Sequence, residues 1–280
     1  MGRPKKHSGP IGIFDSGVGG LSVLREVKRQ LPAEDLIYVA DQAHVPYGDR
    51  SRDEVLGFSL AIIRFLVRRQ AKLVIVACNT ASAVALTELR NRFPKLPFVG
   101  MEPAVKPAAE ETRSGVVGVL ATPATFQGDL YASTVEKHAR GVKILQDTCP
   151  GLVGQIEAGR ISSSETRQIL ERALAPMIDQ GVDEIVMGCT HYPFVIPLIR
   201  EIAGEGIEVI DPAPAVARQA GRLLEKYDLL DRSGGETKSD FFTTGDPAAF
   251  SGLLGSLLGL KVVPQRLLWV EGELQEVPRA

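Results

Sequence analysis

"VIVACNTAS" at residues 74–82 decides how this chain reads: three β-branched residues and Ala77 run into Cys78, and Asn79 and Thr80 then open an alanine-rich stretch. A short apolar run that stops at small polar residues reads as a buried strand, and Asn or Thr after it suits the start of a helix. "IVMGCTHYP" at residues 185–193 repeats the arrangement, with Cys189 leaving a second apolar run. Two cysteines that leave strands in the same way point to two halves of one site.

Outward from Cys78, "IGIF" at 11–14 is a strand that breaks at "DSGVGG", after which Leu21, Leu24, Val27 and Leu31 recur at helical spacing. "LIYVA" at 36–40 is the second strand, and the loop "DQAHVPYGDR" follows it. Ser51 and Glu54 match a capping box for a helix reaching about Gln70, "KLVIVA" at 72–77 is the third strand, and the helix after Cys78 runs to about Phe93. This alternation predicts an α/β fold with mainly parallel sheets flanked by helices.

After the Pro-rich "MEPAVKPAA" the scheme restarts. "VVGVLAT" at 116–122 is a strand, a helix begins near Ala124, and "VKILQD" is another strand. Ser162 and Glu165 predict a second capping box, for a helix ending near Gln180 ahead of the strand that leads to Cys189. Aligning "IGIF" with "VGVL" places the two cysteines at similar distances down their halves, so the chain reads as two pseudo-symmetric domains. The expected division is residues 11–103 with 214–280 as the first domain and 104–213 as the second, with 1–10 a disordered tail. A strand at "IEVI", a helix over about 213–226 and late strands at "DFFTT" and "LLWV" complete the reading.

Composition narrows the function. At 44% hydrophobic, 24% charged and a formal charge of -2, the chain has enough apolar residues for two cores and no general attraction for nucleic acid or anionic membrane. No apolar run reaches the length of a membrane span and the N-terminus lacks the core of a signal peptide, so a cytoplasmic location is expected. Three cysteines make no disulfide framework, and no C-x-x-C pair suggests a metal site. Neither a metal nor a cofactor is expected.

In open α/β sheets ligands bind beyond the carboxyl ends of the strands, where Asp15, Cys78, Thr122 and Cys189 all fall. A helix starting after each cysteine would stabilise a thiolate there. A lone cysteine in such a place is more often a packing residue, the role assigned to Cys149, but the duplicated context favours chemistry. Asp15 by itself reads as a cap and His191 as an ordinary histidine. Their positions near the two thiols favour assistance in proton transfer, and the case for Glu157 is weaker. Asn79, Thr80 and Thr190 offer neutral hydrogen-bond groups, or serve as helix caps. The glycines of "DSGVGG" do not complete a nucleotide loop, although Asp41 after the second strand is a faint sign of one; they can instead bring backbone N–H groups to a small carboxylate.

Taken together, "FDSGVGGLSVL", "PYGDR", "ACNTASA", "GCTHYP" and "FFTTGDP" resemble the bacterial glutamate racemases over nearly the whole chain. The resemblance implies a cofactor-independent enzyme that interconverts L- and D-glutamate for peptidoglycan synthesis, with its active site between two domains and a homodimeric assembly. It implies Cys78 and Cys189 as the acid–base pair, with Cys189 the base toward L-glutamate and Cys78 toward D-glutamate. Asp15, His191 and Glu157 match auxiliary catalytic positions. Asp15, Ser16, Pro46, Tyr47, Gly48, Asn79, Thr80, Thr122, Thr190 and His191 match substrate contacts. Another amino-acid racemase, such as one for aspartate, shares the two-thiol logic; a cysteine hydrolase or a non-catalytic binding protein leaves the second cysteine unexplained.

Overall fold

The computed structural model describes residues 9–233 and 236–277. The first eight residues of the expected tail lie outside that range.

The chain opens with β1 (Ile11–Asp15), α1 (Leu21–Gln30) and β2 (Leu36–Ala40). α2 (Arg52–Arg68) starts at the expected capping box, in which Ser51 Oγ accepts from the Glu54 amide and the Glu54 carboxylate accepts from the Ser51 amide. Such a cap is worth about 1 kcal/mol. β3 (Leu73–Val76), α3 (Asn79–Arg92) and the short β4 (Phe98–Val99) follow.

α4 (Val105–Glu111) occupies the Pro-rich stretch, and β5 (Val116–Ala121) restarts the alternation. The helix expected from Ala124 is two helices, α5 (Pro123–Phe126) and α6 (Asp129–His138), because Gly128 between them is extended. β6 (Lys143–Asp147), α7 (Leu152–Glu157), α8 (Ser164–Ile178) and β7 (Glu184–Gly188) come next. The expected box of Ser162 and Glu165 does not form; Ser163 is the cap of α8, its hydroxyl accepting from the Thr166 amide at 3.1 Å. α9 (Ile196–Ala203), β8 (Glu208–Ile210), α10 (Ala213–Lys226), β9 (Ser239–Thr243), α11 (Pro247–Leu258), β10 (Gln265–Val270) and β11 (Glu273–Glu276) finish the described chain.

Among the described residues the strands form two sheets, one of seven in the order β11-β10-β9-β2-β1-β3-β4 and one of four in the order β6-β5-β7-β8. Neighbours pair in parallel except β10 with β11. The registers Asp15 with Ala40, Phe14 with Val76 and Ala121 with Gly188 bring the strands to a common edge in each sheet.

Parallel strands covered on both faces read as continuous apolar runs, and β1, β2 and β3 are buried along their whole length. Ile11 and Ile13 on one face of β1 pack in the core shared with α1 and α10, whereas Phe14 on the other joins Ile62, Leu66 and Val76. Each such side chain contributes about 1.5–3 kcal/mol when fully buried. The outer hairpin is fastened to α2 by Arg64 on Glu273 at 2.5 Å and by Arg69 on Glu276, charges that also guard the sheet edge.

Candidate active site

Both cysteines stand just beyond strand ends, Cys78 two residues after β3 and Cys189 directly after β7, and both line one cavity. The cavity is small, with about 20 Å³ of free space, and is bounded by Ser16, Pro46, Tyr47, Gly48, Asn79, Thr80, Thr122, Val153, Thr190 and His191 besides the two thiols. Every substrate-contact position expected from the sequence is therefore at its wall except Asp15, which lies fully buried behind it. Val153 on α7 is a wall residue that the sequence reading missed; an apolar residue in a short helix carries no signal that separates lining from core.

On the first side, Cys78 caps α3: its sulfur accepts from the Ala81 amide at 3.4 Å, so the helix's free N–H groups do face this thiol. The thiol reaches Ser16 Oγ only loosely, at 4.0 Å. Burial, followed by the charge of Asp15, pushes the Cys78 thiol well up from its ordinary value and keeps it protonated. Burial also raises Asp15, against the opposing pull of His191 and the Gly17 amide. Beside Cys78, the amide of Asn79 is buried with neither its oxygen nor its nitrogen hydrogen-bonded. A buried amide left so costs about 1–3 kcal/mol, which a polar ligand in the cavity would recover.

The second side is built differently. No α-helix opens at Cys189; a 3₁₀ turn at Tyr192–Val195 intervenes before α9, which corrects the expectation of a helix dipole at both thiols. The positive charge comes from His191 instead. Its Nδ1 lies 3.7 Å from Cys189 Sγ and its Nε2 lies 2.6 Å from Glu157 Oε1. Burial works against a charged imidazole here, but the Cys189 sulfur and the Glu157 carboxylate outweigh it and hold the ring well above its ordinary value. For Glu157 too, burial is outweighed, by His191 first and then by the Val18 and Gln42 donors, so its carboxyl stays below the usual range. Both shifts favour an imidazolium on a carboxylate, the form in which the Nδ1–H faces the sulfur.

The two sides are tied across the cleft. Thr190 Oγ1 donates to Asp15 Oδ1 at 3.1 Å, the Val18 amide donates to Glu157 Oε1 at 2.7 Å, and Thr80 and Thr122 share a hydrogen bond of 2.9 Å. The glycine loop after β1 does bring its backbone to a carboxylate, and that carboxylate is the chain's own Glu157. A Cβ on Gly17 would lie 1.9 Å from Glu157 Oε1, and one on Gly19 would lie 2.5 Å from His191 Nδ1. A side chain at either place would push the Glu157 carboxylate or the His191 ring out of the position it holds.

Asp41 is no ribose ligand. Its buried carboxylate takes Tyr47 Oη at 2.7 Å, Thr244 Oγ1 at 2.8 Å and Trp269 Nε1 at 2.9 Å, and lies 2.9 Å from His44 Nδ1. Cys149 is buried in the core, as expected of a packing residue, and does not line this cavity. Among the described residues no group of three or more His, Cys, Asp or Glu side chains is placed to hold a metal ion, and no helix is long and apolar enough to cross a membrane.

Comparison with known proteins places this geometry in a family. The model of the Asp/Glu/hydantoin racemase family matches residues 11–220. A glutamate racemase of Roseiflexus sp. strain RS-1 is 52% identical over 252 residues, which cover 89% of this chain and 92% of that one. A crystal structure of a glutamate racemase isoform from Bacillus anthracis superposes with a TM-score of 0.84 at 31% identity, covering 96% of this chain and 100% of the other. That of a Francisella tularensis glutamate racemase in complex with D-glutamate gives 0.80 at 29% identity, covering 94% and 98%.

Proposed function

The chain belongs to the Asp/Glu/hydantoin racemase family, and from that premise we propose that it is a glutamate racemase, interconverting L- and D-glutamate by proton transfer between two cysteines. Its product supplies peptidoglycan synthesis, the role implied by its resemblance to the bacterial glutamate racemases.

Inversion at Cα requires a proton to leave one face and another to arrive on the opposite face. Toward L-glutamate, Cys189 as thiolate takes the Cα proton and becomes a thiol; the electron pair left on Cα is then protonated by the Cys78 thiol, which becomes the thiolate. D-glutamate runs the same steps backwards. The burial that keeps Cys78 protonated and the His191 donor aimed at Cys189 support this division of roles. The unpartnered Asn79 amide, with Ser16, Thr80 and Thr190 beside it, suits the charged groups of a small zwitterion. Donors fixed in a water-poor cavity lower the cost of the developing negative charge on the substrate.

The observation that carries this reading is the presence of both thiols on one small cavity, contributed by different sheets. A coupled assay for D-glutamate, started with L-glutamate and no added cofactor, tests it. Steady D-glutamate formation is expected; its absence with active reference enzyme alongside refutes the reading.

Three further readings go with it. The sheets support a first domain of 11–103 with 214–280 and a second of 104–213, moving about the 103–107 region to close on substrate. The enzyme works in the cytoplasm, where its thiols stay reduced. It assembles as a homodimer, the state that the family resemblance favours.

A further inference from the structure

We propose that Gln42 is a positioning residue for the acid–base group at Cys189: reaching from the end of β2 across the cleft, it fixes the carboxylate that holds His191. The proposal rests on the racemase reading of the site.

Gln42 Nε2 donates to Glu157 Oε2 at 3.1 Å, and Gln42 Oε1 accepts from Thr243 Oγ1 at 2.8 Å. The donor directions decide which end of the amide faces which partner. The Glu157 carboxylate only accepts, so the NH₂ end must face it, which leaves Gln42 Oε1 to take the Thr243 hydroxyl proton while Thr243 Oγ1 accepts from the Gly245 amide at 2.9 Å. The support beneath is rigid. The Asp41 amide donates to Asp15 O at 3.0 Å, the Ala43 amide to Thr244 Oγ1 at 3.0 Å and the Thr244 amide to Ala40 O at 3.0 Å. The turn at Gly245 approaches so closely that a Cβ there would lie 2.9 Å from Gln42 Cβ.

Glu157 ends a helix of six residues and carries its carboxylate away from its own sheet toward the first half. Oε1 takes both the Val18 amide and His191 Nε2, while Oε2 takes Gln42. With both oxygens held, the carboxylate plane is fixed, and with it the imidazole that presents Nδ1 to Cys189. Without Gln42 the carboxylate turns about its last bond and the hydrogen bond to His191 loosens. The hydrogen bonds of Cys78 go instead to Ser16 and the Ala81 amide. Gln42 therefore serves one thiol and not the other, a one-sidedness that a merely structural residue would not show.

Racemisation itself hides such asymmetry, because its equilibrium constant of one ties the two directions together. Elimination does not. In a glutamate bearing chloride at Cβ, removal of the Cα proton expels chloride with the Cβ–Cl electron pair, so the rate reports the base that faces each enantiomer. The experiment compares wild type, Gln42→Leu, Thr243→Val and Thr243→Ser on the L and D forms, with glutamate racemisation measured alongside. Gln42→Leu should slow elimination from the L form about tenfold, the scale of one charge-assisted hydrogen bond, and leave the D form within about twofold. Thr243→Val, which keeps the volume but releases the amide, should shift the L-to-D ratio the same way even if the first variant does not fold, and Thr243→Ser should restore it. Equal slowing of both forms, slowing of the D form alone, or no change in either overturns the role of Gln42. A wild type that racemises no glutamate and eliminates from neither form overturns the racemase reading and this proposal with it.

Discussion

Cys78 and Cys189 occupy matching places in the chain, yet their surroundings differ: an α-helix N-terminus and a buried aspartate at the first, a histidine clamped by a glutamate at the second. Serine in place of either is a much weaker base, so each variant should lose racemisation by at least about a thousandfold, in keeping with the loss of an acid–base group. The two should fail asymmetrically on the chloro substrate. Cys78→Ser retains the base for the L form and Cys189→Ser the base for the D form, so each should eliminate chloride from its own enantiomer only, read as free chloride or ammonia. Elimination from both forms by either variant would contradict the assignment. At this scale the sequence was informative because duplication singled out the thiols and strand ends singled out their neighbours. Gln42 escaped notice for a physical reason: a glutamine after a strand is ordinary loop composition, and its importance comes from Glu157 and Thr243, each more than a hundred residues away.

Secondary structure was legible where a local signal was strong. The Ser51 box and the amphipathic stretch over α10 stand where the residues place them. β4, with two residues, is too short for a pattern, and α11 carries Gly252 and Gly255 inside it, which dilute its helical signal. The helix after Cys189 was expected by analogy with Cys78, but a 3₁₀ turn that contains Pro193 stands there instead, and α9 follows with Pro197 in its first turn. At the opposite end of β7 from the cleft, Glu184 is buried with its Oε2 unpartnered. Burial, then Asp183, Glu111 and Glu208, push its carboxyl up to about 7. Since the folded value lies above the unfolded one of 4.5, the stability that goes with the protonated form is complete below 4.5 and is lost as pH rises through about 7. Glu184→Gln keeps the shape without the charge. It should unfold at a higher temperature than wild type at pH 8, by about 1–2 kcal/mol in stability, and equally at pH 4. Parallel melting curves of the two proteins at both pH values would count against this account of Glu184.

For the molecule as a whole, the strand-end rule pointed to the edge where both thiols share a cavity, because parallel sheets leave their carboxyl edges free for ligands. What the sequence could not convey is the set of bonds that makes one site of two halves: Thr190 on Asp15, Val18 on Glu157, Thr80 on Thr122. Those bonds join the halves that carry the two thiols of one cavity, and under the proposed mechanism a substrate between them meets a base on one face of Cα and an acid on the other. The most direct test of that central claim is racemisation of L-glutamate in heavy water, with deuterium at Cα followed in substrate and product from the earliest times. Two thiols of separate function predict D-glutamate that carries deuterium while the remaining L-glutamate stays protiated. Equal deuterium in both enantiomers from the outset, as one shared base would produce, would contradict it.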